Sequence, residues 1–259
     1  MSILVSCDRM YPERSERGLK LDIIIKNGKI IDGTGNPWYK ADVGILGERV
    51  CEIGVLPASS AGMVIDASGL AVSPGFVDIH GHSDLVFPLA DNAEILSPFV
   101  CQGTTTQVIG NCGMSPAPVN KDNLSLMKGY LAIITAREAS WNWSSFGDYL
   151  AVLRETGIVL NVAPLVGQGA IRFSAMGAKA AEPTREERDE MRALLIQTME
   201  EGAIGMSSGL IYPPGMWTTT EDLIDLCHVV AQYGGVFTCH VRGSSETAIE
   251  SEREIIEIG

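Results

Sequence analysis

From Pro74 onward the chain repeats one rhythm, a short apolar strand, a loop and a helix. Few folds accommodate it. Parallel neighbours need a crossover helix, so this alternation implies a parallel sheet, either doubly wound or closed into a barrel. Strands are predicted at Phe76–His80, Thr105–Ile109, Ile158–Val166, Ile204–Ser207 and Val236–Val241. Helices are predicted at Ser97–Gln102, Phe146–Glu155, Arg185–Glu201, Thr220–Tyr233 and Glu246–Ile258. Thr184 ahead of Glu187 makes a capping box for the third helix, and Gly234-Gly235 ends the fourth. No glycine-rich loop of dinucleotide-binding or Walker type follows a strand, which counts against the nucleotide-binding version.

Ahead of Pro74 the pattern is different. Residues 1–18 are polar and aperiodic and read as a flexible lead-in. Residues 19–72 read as part of a small β-sandwich, with strands at Leu21–Lys26, Lys29–Ile31, Ala41–Leu46, Val50–Ile53 and Val64–Asp66. Asn27-Gly28 between the first two is a hairpin signal. Residues 73–259 then form the α/β part. Hydrophobic residues at 46% and charged residues at 20% describe a globular chain, and a net charge of −13 argues against a nucleic-acid partner. There is no membrane-length apolar run and no signal-type segment. Six cysteines without a CxxC pair fit reduced thiols in a cytoplasmic protein.

In α/β folds, functional side chains gather at the carboxyl ends of the strands. The first predicted strand ends in Asp78-Ile79-His80-Gly81-His82. Side chains alternate along a strand, so Asp78, His80 and His82 share one face while Val77 and Ile79 point into packing. Two imidazoles on one face can hold a divalent metal, or can simply be polar residues on a solvated end. The second strand runs into Gly110-Asn111-Cys112-Gly113, where Cys112 is either a buried small side chain or a ligand. The fifth carries His240 with Arg242 on the same face and Cys239 on the opposite, packing face. His228, mid-helix, reads as an ordinary helix residue. Three of the four histidines fall at predicted carboxyl ends, and that concentration points to a metal site.

Four pieces carry a resemblance: Pro-Gly-Phe-Val-Asp-Ile-His-Gly-His, Gly-Asn-Cys-Gly-Met-Ser, Gly-Leu-Ile-Tyr-Pro-Pro-Gly and Thr-Cys-His-Val-Arg-Gly. They resemble the N-acyl-D-amino-acid deacylases (D-aminoacylases) of the amidohydrolase superfamily. The resemblance implies a (β/α)8, TIM-like metal-dependent hydrolase barrel, of which about five units are present, with a small β-sandwich built from both chain ends. It implies that His80 and His82 hold one zinc, that Cys112 binds or bridges zinc, and that His240 completes the tighter site. One Zn2+ is expected to be held tightly, with room for a second, weaker one. Superfamily relatives often bridge two metals with a carboxylated lysine on strand four. Residues 203–215 contain no lysine, which is consistent with Cys112 taking that role as the resemblance implies.

The implied substrate is a small N-acyl-D-amino acid, with Tyr212 and Arg242 as candidate substrate contacts. Each has a plainer reading, Tyr212 as loop packing and Arg242 as the partner of an acid. The general-base aspartate and a further ligand histidine that the family places on later strands are expected beyond Gly259. The chain is accordingly expected to be a fragment, to need a complementary C-terminal chain or to self-associate. A cyclic-amide hydrolase of dihydroorotase or hydantoinase type is the rival enzyme reading. A non-catalytic half-protein is the rival of another class.

Overall fold

The structure is a computed structural model, and it describes residues 20–135 and 137–259. The expected lead-in, residues 1–18, lies outside the described residues. The chain divides into two compact units, with the division between Pro74 and Gly75.

The first unit is a five-stranded sheet. Strand β1 (Leu21–Ile30) lies between β2 (Tyr39–Leu46) and β4 (Ala61–Asp66), and β3 (Arg49–Gly54) extends the sheet beyond β2. A two-residue β5 (Ala71–Val72) also pairs with β1, in parallel. The hairpin expected at Asn27-Gly28 does not form. Both halves of β1 pair with the same strand β2, and the register shifts between Ile25 and Gly28, so the dipeptide is a bulge inside one strand. Tertiary bonding decides this. Asn27, at φ 63°, donates its backbone N–H to Asp42 and its side-chain amide to Asp66, both at 2.9 Å. Leu21, Ile24, Cys51 and Leu56 form the unit's small core.

The second unit carries the α/β alternation. Strands β6 (Phe76–Asp78), β7 (Thr104–Ile109) and β8 (Asn161–Pro164) pair in parallel, as do β9 (Val166–Gly167), β10 (Gly205–Gly209) and β11 (Val236–His240). Segments β8 and β9 are the two halves of the strand predicted at 158–166. Leu165 between them donates its N–H to Ile109 O at 2.9 Å. Five strand positions thus follow one another in sequence order.

Helices α1 (Asn92–Ile95), α2 (Ser97–Cys101), α3 (Leu124–Tyr130), α4 (Phe146–Thr156), α5 (Gln168–Met176), α6 (Arg185–Glu201), α7 (Thr220–Gln232) and α8 (Ala248–Ile258) connect and follow the strands. Capping boxes start α4 (Ser145 with Asp148) and α6 (Thr184 with Glu187). Helix α7 buries Leu223, Leu226, Val229 and Val230, spaced for one helical face. Helices α6 and α7 are joined by Arg188–Asp222 at 2.6 Å and by a two-pronged Arg192–Asp225 pair at 2.6 and 2.8 Å. The main core gathers Leu85, Phe87, Ile109, Phe146, Tyr149, Leu195 and Met206 among others.

The first strand departs from expectation. It ends at Asp78 rather than His80, and Val77 and Ile79 do not pack inward but are 56% and 74% exposed. Strand β6 pairs only with β7 among the described residues, so nothing described covers its outer side.

Candidate metal centre

His80 and His82 sit in the bend that follows β6, where the chain passes over β7. Gly81 between them is required by that path, since a Cβ there would come within 2.1 Å of the Gln107 side chain. The preceding carboxylate is already committed. Asp78 Oδ1 accepts the His80 backbone N–H at 3.1 Å and Oδ2 accepts the Gln107 amide at 3.0 Å. The two imidazoles meet edge to face with ring centroids 5.3 Å apart.

The loop after β7 brings in the thiol. Gly110, Cys112 and Gly113 all have positive φ (74°, 58° and 74°), a fold that only glycine adopts freely. At Gly110 a Cβ would also lie 1.9 Å from Leu165 O. This conformation turns Cys112 Sγ to within 3.3 Å of His80 Nε2. Ligand atoms of His80, His82 and Cys112 all lie within 4.8 Å of one another.

Electrostatics suit a ligand set. Burial, with His80 beside it, lowers the pKa of His82, which keeps that imidazole neutral, the form that binds metal. Its Nδ1 is buried and has no hydrogen-bond partner. Burial pushes the Cys112 thiol up, so a bound cation would have to displace its proton. Two imidazoles and a thiol at this spacing, one with an orphaned buried nitrogen, fit a borderline-soft divalent ion such as zinc.

His240 is not in that group. It is exposed at the end of β11, and its ring packs edge to face on Tyr212 with centroids 5.5 Å apart. The Tyr212 hydroxyl donates to Cys112 O at 2.7 Å. Arg242 is fully engaged within the chain. It bonds both Glu254 carboxylate oxygens and the carbonyls of Met216 and Thr218 at 2.7–3.2 Å. Cys239 lies against the Leu210–Leu223–Ile258 cluster, and burial pushes its thiol up to about 12. His228 lies on α7, outside this group.

Two neighbours of the site were not legible in the sequence. Asp84 is completely buried, its Oδ1 accepting Gly110 N–H at 2.6 Å and its Oδ2 without a partner, and burial raises its carboxyl to about 7. Its one sequence signal is an acid at the head of the apolar run Leu85-Val86-Phe87. Tyr130 donates its hydroxyl to Gly113 O at 2.9 Å from a helix that periodicity did not predict.

A model described as the amidohydrolase family matches residues 63–236. A D-aminoacylase of Alcaligenes xylosoxydans xylosoxydans is 36% identical over 238 residues, 92% of this chain and 48% of its own length. A solved N-acyl-D-glutamate deacylase of Bordetella bronchiseptica, complexed with zinc and a phosphonate inhibitor, is 36% identical. It superposes with a TM-score of 0.83, covering 93% of this chain and 49% of that one. A dihydroorotase of Bacillus subtilis aligns at 47% identity over 257 residues, 92% of this chain and 58% of its own. The chain spans about half the length of the curated deacylases it matches.

Proposed function

The chain belongs to the amidohydrolase family, and from that premise we propose that it supplies the metal-holding part of a zinc-dependent deacylase. The reaction is hydrolysis of the amide of N-acyl-D-amino acids to a carboxylate and the free D-amino acid. The observation that carries this reading is the convergence of His80, His82 and Cys112 within 4.8 Å, with a thiol where residues 203–215 offer no bridging lysine.

His80, His82 and Cys112 would hold one metal, and His240, which stands outside that group, would be a ligand of the second, tighter position. When bound, zinc supplies Lewis acidity, polarising a carbonyl and acidifying a water. The chain's own residues set the stage for it. Burial around His82 and Cys112 excludes water from one side, and the Tyr212 ring, with its hydroxyl engaged, offers substrate an aromatic edge rather than a donor. Arg242, saturated by Glu254, would act on substrate only by holding the loop at 216–218 in place.

The family's general-base aspartate is not supplied by this site. Asp84, the buried carboxyl beside it, is completely enclosed and bonds Gly110 N–H through one oxygen, so it is not proposed as that base. We propose that a segment corresponding to the half of the curated deacylases that this chain does not cover supplies that aspartate and the strands that complete an eight-unit barrel. A co-expressed pair should release amino acid from N-acetyl-D-amino acids and leave the L-forms nearly untouched. Turnover of both enantiomers, or of neither with zinc bound, would contradict it.

The dihydroorotase similarity favours a second reading, a cyclic-amide hydrolase. Dihydroorotate offered to the same preparation separates the two. Ring opening without D-specific deacylation would select the second.

A further inference from the structure

The loop that presents Cys112 is held by three hydroxyl groups from three different segments. Ser207 on β10, completely buried, donates to Gly110 O and accepts Gly113 N–H at 2.8 Å. Tyr212, beyond β10, donates to Cys112 O at 2.7 Å. Tyr130, at the end of α3, donates to Gly113 O at 2.9 Å. The backbone of Gly209 leaves the room, since a Cβ there would lie 2.3 Å from the Tyr212 hydroxyl and 2.4 Å from Cys112 O. A cysteine at φ 58° is disfavoured on its own and persists only where surroundings over-determine it. Here Gly110 O, Cys112 O and both backbone groups of Gly113 are tied from outside the loop.

We propose that Tyr130 and Tyr212 are positioning residues for the Cys112 thiol. Their hydroxyls clamp consecutive carbonyls and hold the sulfur toward His80. This deepens the metal-site reading and rests on it. Neither tyrosine is asked to touch substrate through its hydroxyl or to carry a proton.

The test uses Tyr130→Phe, Tyr212→Phe and the double variant, which keep the rings and remove only the hydroxyls. Tyr233→Phe, which loses an exposed hydroxyl bonded to Glu200, is the control. Two readouts are taken. One is the sulfur-to-metal charge-transfer absorption of the cobalt(II)-loaded chain. The other is the rate of iodoacetamide alkylation at Cys112 in metal-free protein, resolved by mass spectrometry. Each lost hydroxyl should change the Cys112 alkylation rate about five-fold, the population factor of one net hydrogen bond. The charge-transfer band should weaken in the double variant at full cobalt occupancy. Gly209→Ala, which crowds the same contact while keeping both hydroxyls, should reproduce the alkylation change if a phenylalanine variant fails to fold. Wild-type rates and band in all of these variants would overturn the proposal. A wild-type chain that binds cobalt without a charge-transfer band would instead defeat the metal reading, while alkylation would still decide the positioning.

Discussion

At the scale of single residues, the site rests on a strained turn, with Gly110, Cys112 and Gly113 all at positive φ. In the sequence the His80–Gly81–His82 spacing and the Gly110–Gly113 turn were each open to a plainer reading, and the fold adds their convergence within 4.8 Å. The hydroxyls that bond the turn come from positions 17 to 100 residues away in sequence, and no local pattern encodes such pairings. For Arg242 and Tyr212 the sequence offered substrate contact beside a plainer reading, an acid's partner and loop packing, and both spend polar atoms inside the chain. Two outcomes follow. Cys112→Ala should leave zinc below the wild-type content in metal analysis after purification under reducing conditions, and equal zinc in both would remove Cys112 from the site. Gly110→Ala should destabilise the fold by at least about 1–3 kcal/mol in denaturant titration, because it combines a strained φ with a backbone clash. A neutral result would mean that the loop has an alternative path.

At the scale of elements, sequence logic worked where one signal dominated. Helix α6 starts and stops where the Thr184–Glu187 box and Gly202 place it. Thr184→Ala should cost about 1 kcal/mol, read as a lowered denaturation midpoint at constant m. The logic failed at Asn27-Gly28, where a turn signal was outvoted by pairing to β2 on both sides. Asp42 is central to that outcome. Burial pushes its carboxyl up, but the Leu56 N–H, Lys26 and the Asn27 N–H together hold it below its ordinary value of 3.8. A carboxyl lowered in the folded state contributes stability that is full above the unfolded pKa and is lost as pH falls through the folded one. The first unit should therefore lose stability below about pH 4, and Asp42→Asn should flatten that dependence at the cost of stability at neutral pH. An unchanged acid limb in the variant would show that other groups set it.

For the whole molecule, the strand order of the second unit follows the sequence, where the alternation of strand and helix had also left a doubly wound order open, and no helix among the described residues is long and apolar enough to cross a membrane. Strands β6 and β11 each have one paired side among the described residues, and Phe76 on β6 is 62% exposed. Open apolar edges invite pairing, so the chain alone should associate with rising concentration in sedimentation velocity, and the complementary segment should suppress this. A strictly monomeric chain across the range would contradict it. The claim on which the rest depends is that a thiol and two imidazoles hold one zinc. X-ray absorption at the zinc edge reads it directly. The account predicts a sulfur shell at ~2.3 Å beside nitrogen at ~2.0 Å, with the sulfur shell gone in Cys112→Ala. A first shell of nitrogen and oxygen alone in the wild-type protein would contradict it.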